Sequence, residues 1–297
     1  MVRMKVVSVG LVALAAAGCA ALGDFSPDNP GFDEVPGTFV GRFLALSDAD
    51  MAGTAYADGG LEPFDGAVDE VTLFSAGRPI ATAGAPNSVI SWPQVIDVAP
   101  NGRHAYAVET RGSLAEPTDR VESAYTAFPE GRLLQAYAVD GTSLQKIATL
   151  ENVGPNPQFV EVSPDGRFLI VGTEQNDAEL IILPLQSDGT PGAPRRIDLN
   201  PPYQPDDAEK RVRVAHLSPD NRTLAVNVGN KRVQFYTLTF DQGGLPDGVS
   251  PLGDPVEFGV RLAVGRWTPD GKFFLMTDVN SYDSSIRMLV QRGGKIH

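Results

Sequence analysis

A hairpin motif that occurs four times constrains the fold of this chain more than any other feature. In residues 157–173, apolar and β-branched residues flank the turn Ser163-Pro164-Asp165-Gly166. Such runs around an Asp-Gly pair are typical of a β-hairpin, because glycine adopts the positive φ that a tight turn requires. The other copies are residues 93–110, 212–228 and 262–278. The repeat therefore predicts one hairpin that recurs as part of a larger unit.

Each hairpin is followed by two further strand candidates, so the repeating unit has four strands, here named a to d. The second unit, for example, continues with c and d at residues 133–139 and 144–150. Four antiparallel strands in roughly 40–50 residues are the signature of a β-propeller blade. A β-sandwich of short strands is the alternative, but it does not predict one hairpin repeated in the same phase. We therefore predict an all-β protein with a β-propeller fold.

The predicted propeller domain, residues 38–297, contains about five blades. The strand candidates make a partial first blade, three full blades and a last blade without strand d. In the fourth blade, strand d is expected at residues 254–258, after turns at 243–244 and 247–248. Five blades close a ring only if an N-terminal strand completes the last sheet, and each further blade needs about 40–50 more residues. The sequence thus predicts a propeller that is incomplete at its C-terminal end.

Residues 1–18 have the pattern of an export signal. Two basic residues precede an apolar run at residues 6–17, which is too short to span a bilayer as a permanent helix. Cys19, the single cysteine, directly follows Ala-Ala-Gly, which resembles the bacterial lipoprotein cleavage box. We predict lipidation at Cys19, a Pro- and Gly-rich tether over residues 19–37, and a protein anchored to a membrane in the periplasm or at the cell surface. Ordinary secretion of a soluble protein is the alternative.

Charge and motifs exclude several classes of function. The formal net charge is -13, which disfavours nucleic acid, because binding a phosphate backbone requires a positive surface. The three histidines have no metal-binding spacing, and the sequence contains no P-loop, no nucleotide-binding glycine motif and no serine nucleophile elbow. We therefore predict neither a cofactor nor a metal.

One register of strand a is ionisable in every repeat. The third residue before the turn proline is Asp97, Glu161, His216 or Arg266. Strand a is the innermost strand of a blade, so these side chains could line the central channel. They could equally pair with one another across blades, because buried charges persist when they are paired.

The repeats resemble those of the lactonase-type β-propellers, a family that includes 6-phosphogluconolactonase-like and YVTN-repeat proteins. The resemblance covers about residues 93–278, and its most specific piece is the sequence GPNPQ at residues 154–158. It implies a seven-bladed propeller whose lactone-handling arginine and glutamate lie at the mouth of the channel, near histidines.

The histidine positions of this family carry other residues here. They are Asn156 and Gln158 in one blade, and Trp92 and Gln94 in the preceding blade. Amides can donate hydrogen bonds to a carbonyl, but they do not shuttle protons near neutral pH as histidine does. These four residues are therefore candidates for ligand binding and not for proton transfer.

Two long insertions are expected on one face of the propeller, where the b-to-c and d-to-a loops emerge. Residues 111–132 include Arg111, and residues 200–211 include Tyr203; both are ligand-binding candidates. The charged residues expected at the same rim are candidates for catalysis, namely Glu109, Glu174, Arg211 and Arg261.

Two functions follow from these features. The first expectation is a scaffold that binds an envelope protein or a small ligand, because the repeat is intact and the family's histidines are absent. The alternative is a lactone hydrolase that acts on a lactone or sugar-derived ester. In that enzyme Glu109 or Glu174 would act as the base, and Arg211 or Arg261 would stabilise the developing oxyanion.

Overall fold

The computed structural model describes most of the chain beyond residue 40. The described residues are 41–47, 49, 55–61, 68–87, 94–205, 211–229, 231–258, 262–278, 286–292 and 295–296. They form twenty β-strands and two helices of four residues each. Neither helix is long and apolar enough to cross a membrane. The predicted export signal, Cys19 and the tether lie outside the described residues.

The strands form five antiparallel sheets that follow one another along the chain. Sheet 1 contains β1 (Arg42–Ser47), β2 (Glu70–Ser75) and β3 (Arg78–Gly84). The short helix α1 (Ala55–Asp58) lies in the connection between β1 and β2. Sheet 2 contains β4 (Ile96–Val98), β5 (His104–Val108), β6 (Leu134–Asp140) and β7 (Ser143–Leu150). The short helix α2 (Ala124–Ala127) lies in the connection between β5 and β6.

The remaining three sheets repeat the same order of strands. Sheet 3 contains β8 (Phe159–Val162), β9 (Phe168–Gly172), β10 (Leu180–Pro184) and β11 (Arg195–Ile197). Sheet 4 contains β12 (Val212–Leu217), β13 (Thr223–Val228), β14 (Arg232–Phe240), β15 (Pro246–Pro251) and β16 (Val256–Glu257). Sheet 5 contains β17 (Leu262–Trp267), β18 (Phe273–Asp278), β19 (Ile286–Arg292) and β20 (Lys295–Ile296).

This architecture confirms the predicted all-β, propeller-type fold, with two differences at the outer strands. In sheet 4 the predicted strand d is split, because β15 pairs with one end of the nine-residue β14 and β16 pairs with the other. The predicted turn at residues 247–248 is therefore part of β15. In sheet 5 the predicted absence of a fourth strand is wrong, since the short β20 pairs with β19.

The sheets pack face to face in sequence order, and an apolar core fills each interface. In β9, Phe168 and Ile170 belong to the core shared with sheet 4, whereas Leu169 and Val171 belong to the core shared with sheet 2. Similar cores lie between sheets 1 and 2 and between sheets 4 and 5. Because successive side chains of a strand point to opposite faces, a sheet that is covered on both sides is apolar at almost every position.

The repeated turn is held together by a local hydrogen-bond pattern. The Ser163 hydroxyl oxygen accepts hydrogen bonds from the backbone N–H groups of Arg167 and Phe168, at 3.0 and 3.1 Å, and the hydroxyl donates to Asp165. Gly166 takes the left-handed φ of 72° that closes the turn. The same pattern recurs around Ser218 and Thr268. The motif thus encodes its own hairpin through contacts within six residues.

Candidate functional site

Glu174 is the centre of a polar cluster at the rim where the b-to-c and d-to-a loops emerge. It follows β9, and its backbone N–H donates to Pro155 O at 3.0 Å. One carboxylate oxygen, Oε1, accepts from Arg211 Nη1 at 2.8 Å and from Gln158 Nε2 at 3.1 Å. The other oxygen, Oε2, accepts from Asn156 Nδ2 at 2.7 Å.

Arg111 completes the cluster from the start of the insertion 111–132. Its Nη2 lies 3.9 Å from Glu174 Oε2, which is an ion-pair distance and too long for a hydrogen bond. We name this set the rim cluster: Glu174, Arg211, Arg111, Asn156 and Gln158. The structure thus brings together five of the residues predicted from the sequence, and they come from four separate stretches of the chain.

The backbone conformation at Asn156 explains how the rim cluster is positioned. Asn156 has a left-handed φ of 43°, which asparagine tolerates better than most residues. Its Oδ1 accepts from Gly131 N at 3.2 Å, while its Nδ2 donates to Glu174. A side chain at residue 131 would collide with the backbone, since an added Cβ would lie 2.4 Å from Glu109 O. Asn156 therefore links the end of the insertion to the carboxylate.

The insertion 111–132 packs on the loop that joins β1 and β2. A small core of Ala55, Leu61, Ala124 and Phe128 holds the two segments together. The Tyr56 and Tyr125 rings lie 5.6 Å apart at the surface of this small core. The insertion is thus an ordered wall beside the rim cluster and not an isolated loop.

The rim cluster is mostly buried but retains contact with solvent. The exposed fractions of the side chains are 22% for Glu174, 14% for Arg211 and 16% for Arg111. Two guanidinium groups face one carboxylate, so these charged side chains leave one net positive charge in a strongly acidic protein. An arrangement of this kind can attract an anion, and it can stabilise an oxyanion that forms during a reaction.

The other predicted site residues lie elsewhere. Glu109 Oε2 accepts from the backbone N–H groups of Arg132 and Leu133, so this carboxylate fixes the return of the insertion. Tyr203 packs against the apolar core between sheets 3 and 4. Trp92 and Arg261 lie outside the described residues.

Gln94 joins a second polar network, formed by the ionisable register of strand a. Its Nε2 donates to Glu161 Oε2 at 2.9 Å, and the same oxygen lies 3.0 Å from His216 Nδ1. Arg266 Nη1 lies 2.8 Å from His216 Nε2. Glu161, His216 and Arg266 belong to three consecutive sheets, so the structure favours pairing across blades, the second of the two expectations for this register.

The carboxylates of this register also bind the backbone of the next blade. Asp97 Oδ2 accepts from Val162 N at 2.7 Å, and Glu161 Oε1 accepts from Leu217 N at 2.9 Å. Burial raises the pKa of Asp97 to about 7, and the neighbouring Glu161 carboxylate adds to the rise. Burial lowers the pKa of His216, against the opposing effect of Glu161. These contacts stabilise the blade interfaces, and sequence periodicity identified the residues but not their partners.

The described residues form no metal site at the rim cluster, and the pocket that they form lies elsewhere. Within the described ranges, no three His, Cys, Asp or Glu side chains are grouped so that they could hold a metal ion. An open pocket of about 410 Å³ lies at the opposite end of the blades, among the hairpin turns, where His104 and Arg167 contribute to its lining.

Comparison with known proteins agrees with the fold. A family model described as lactonase, 7-bladed β-propeller, matches residues 66–261. No curated protein matches the chain. The solved structure of the Pseudomonas aeruginosa periplasmic gluconolactonase PpgL is 19% identical with a TM-score of 0.57, and the match covers 85% of this chain and 65% of that one. A putative 6-phosphogluconolactonase from Bacteroides fragilis is 14% identical with a TM-score of 0.51, and the match covers 88% and 67%. The chain therefore spans about two thirds of the length of these structures.

Proposed function

Because the chain belongs to the lactonase family of seven-bladed β-propellers, we propose that it is a lactonase whose reaction takes place at the rim cluster. One observation carries the proposal. Glu174 and Arg211, a candidate base and a candidate oxyanion-stabilising group, are in direct contact at 2.8 Å and remain partly open to solvent. Family membership favours this alternative over the scaffold that the sequence analysis placed first.

The proposed reaction is the addition of water to the lactone carbonyl. Glu174 accepts a proton as the water oxygen bonds to the carbonyl carbon, and the carbonyl oxygen becomes an oxyanion that Arg211 stabilises. The tetrahedral intermediate then collapses, the ring C–O bond breaks, and the leaving alkoxide takes the proton back from Glu174. The product is a hydroxy acid, which ionises to a carboxylate at neutral pH.

Asn156 and Gln158 have a supporting role in this scheme. Both donate to Glu174, and both are buried, with exposed fractions of 7% and 1%. Amides at these positions fix the direction of the carboxylate but do not relay protons. Proton transfer therefore falls to Glu174 alone, without the histidine that the family resemblance implies.

The test is lactone hydrolysis by the purified protein and by two matched variants. D-Glucono-1,5-lactone is the first substrate to assay, followed by γ-butyrolactone and a longer acyl lactone, with acid release measured against buffer. We expect Glu174→Gln to lower kcat by about 100-fold or more, the usual contribution of a general base. Glu109→Gln is the control, because Glu109 binds backbone N–H groups of its own blade.

Two results would count against the proposal. Hydrolysis no faster than in buffer for every lactone removes the activity. Full activity of Glu174→Gln together with loss of activity in Glu109→Gln moves the chemistry to the other predicted base.

We also propose export and lipid anchoring. The support is the signal-like segment 1–18 followed by Cys19, together with the periplasmic location of one structurally similar gluconolactonase. Intact mass of the membrane fraction from an expressing bacterium should show an acylated chain that begins at Cys19. A Cys19→Ser variant should lose the lipid mass; a soluble, unmodified wild-type protein would contradict anchoring.

A binding scaffold remains the second candidate because of the exposed aromatic pair on the insertion wall. Tyr56 and Tyr125 are 37% and 47% exposed, which is high for aromatic side chains that sit on an ordered core. Lack of activity on all lactones, combined with an envelope partner that Tyr125→Ser no longer binds, would favour the scaffold.

A further inference from the structure

The guanidinium group of Arg111 is the least satisfied charged group of the rim cluster. Its closest approach to an acid is the 3.9 Å distance to Glu174, and it makes no hydrogen bond to any described residue. Its Nε is buried without a hydrogen-bond partner, and only 16% of the side chain is exposed. Buried polar groups are nearly always hydrogen-bonded to protein or to water, so Arg111 can take an acceptor that a bound ligand supplies at this candidate site.

Arg211 shows what a satisfied arginine in the same cluster looks like. Its exposed fraction is similar at 14%, yet its Nη1 donates to Glu174 Oε1 at 2.8 Å. Glu174 also accepts from Gln158 and Asn156 and thus has little capacity left for a second arginine. Arg111 is therefore held beside the carboxylate with its donors available to an additional acceptor.

The insertion fixes Arg111 in this position. Its backbone pairs with Glu130 in an isolated antiparallel bridge, and the adjacent Gly131 is bonded to Asn156. Both ends of the insertion are thus attached to the rim cluster, so the backbone from which the Arg111 side chain extends is held in place. A fixed, under-bonded cation suits an anionic ligand more than a neutral one.

We propose that Arg111 binds the carboxylate of the hydroxy acid that hydrolysis produces, so that the protein retains and is inhibited by its own product. This inference rests on the proposed lactonase function. A lactone is neutral at its reacting ester, whereas the opened product carries a full negative charge at the same carbon. The Arg111 guanidinium, which is 3.9 Å from Glu174 and has no hydrogen bond to it, gains a charge-assisted bidentate partner only after the ring has opened. Arg111 is thus a product-binding residue and not the base or the oxyanion-stabilising group.

Equilibrium binding tests this without relying on turnover. D-Gluconate and 4-hydroxybutyrate are titrated into the wild-type protein by calorimetry, with the neutral polyol D-glucitol as the uncharged comparison. We expect at least one of the two carboxylates to bind and glucitol to bind at least tenfold more weakly. Arg111→Gln should weaken carboxylate binding by about tenfold or more, the usual effect of losing a hydrogen bond to a charged group.

Arg132→Gln is the matched control. Arg132 lies at the other end of the same insertion, is 44% exposed, and already pairs with Asn152 and Glu130. The Arg132→Gln substitution removes the same charge from the same loop, but from a side chain that already has partners outside the rim cluster. It should therefore leave the affinity for the carboxylates unchanged. Equal losses in the two variants would indicate a general charge effect and would overturn the assignment to Arg111.

The outcomes separate this inference from the proposed function. Lactone turnover without carboxylate binding, or with carboxylate affinity unchanged in Arg111→Gln, overturns product binding and leaves the lactonase intact. Carboxylate binding that depends on Arg111, in a protein that hydrolyses no lactone, refutes the lactonase and product inhibition and leaves an anion site. If both hold, the product inhibition constant should rise at least tenfold in Arg111→Gln, while KM for the neutral lactone changes far less.

Discussion

Asp97 should make the stability of the protein depend on pH in the direction opposite to an ordinary carboxylate. Its carboxylate is partly buried between sheets 2 and 3, where it accepts from Val98 N and Val162 N. Burial and the nearby Glu161 raise its pKa from 3.8 to about 7. The folded state therefore holds a proton that the unfolded chain has already lost between these two values. The stabilising contribution is complete below pH 3.8 and disappears as the pH rises toward 7.

The size of the pKa shift of Asp97 sets an upper limit on the change in folding stability. About three pKa units correspond to roughly 4 kcal/mol between the two ends of this window. Residual contact of Asp97 with solvent reduces that figure, so we expect a measurable part of it. For a domain of this size about 1 kcal/mol moves Tm by roughly 2–4 °C.

The experiment compares the wild-type protein with Asp97→Asn in thermal and urea unfolding from pH 4.5 to pH 8. Asparagine keeps the shape and is neutral at every pH, but its Nδ2 cannot accept one of the two backbone hydrogen bonds that the Asp97 oxygens accept. The variant should therefore be less stable by an amount that does not depend on pH, and it should lose the Asp97 contribution to the pH slope. The difference between the two proteins cancels His216, whose lowered pKa gives the opposite slope. We expect the variant to be less stable than wild type at pH 5, and we expect this difference in stability to become smaller as the pH rises to 8.

Asp140→Asn is the control, because Asp140 is an exposed residue at the end of β6. Removal of this exposed carboxylate should not reproduce the pH-dependent difference in stability that we expect for Asp97→Asn. A difference between wild type and Asp97→Asn that does not vary with pH would refute the reasoning. A difference that grows as the pH rises would show that Asp97 is ionised in the folded protein.

Two further predictions concern the local geometry. Ser163→Ala should lower the free energy of unfolding by about 1–2 kcal/mol in urea titrations, because the buried Phe168 N–H loses its acceptor, whereas the Arg167 N–H keeps Asp165 Oδ1. Ala99→Ser, which completes the same turn in sheet 2, should raise the free energy of unfolding, and equal effects of both changes would argue against the turn model. Gly131→Ala should lower Tm strongly and reduce lactone turnover, because its Cβ would lie 2.4 Å from Glu109 O; an unchanged Tm would contradict the close approach.

The fold could be predicted from the sequence because it depends on interactions between residues that are close together in the chain. In three of the four turns the hydroxyl, the carboxylate and the left-handed residue act within six residues, so the motif specifies its hairpin locally. The turn of sheet 2 has Ala99 and Asn101 in place of the hydroxyl and carboxylate residues, and there Asn101 Oδ1 accepts from Arg103 N. The doubly apolar strands follow from sheets that are covered on both faces. The division of the outer strand of sheet 4 into β15 and β16 could not be predicted from the sequence, because the sequence does not show which end of the long β14 a short strand pairs with.

Comparison of one repeat with another did not predict the separate roles of the glutamates at the rim. Glu109 and Glu174 were predicted as equivalent, but they lie nine and ten residues after their turn prolines. Glu109 lies one residue and Glu174 two residues beyond the end of its strand, and Glu109 contacts backbone N–H groups of its own blade whereas Glu174 contacts the cluster. Counting from the proline would have detected this one-residue difference.

The partners of each polar residue were decided by tertiary structure. Gln94 and Gln158 occupy the same position before their turn prolines, yet one contacts Glu161 and the other Glu174. Arg111 and Arg211 reach Glu174 from different blades, so these distances depend on how one sheet packs against the next. The sequence alone therefore determined the strands, the hairpins and the residue types at the rim, because these depend on neighbours within a few positions. Only the packing of whole sheets decided which charges meet, because that contact is made between segments far apart in the chain.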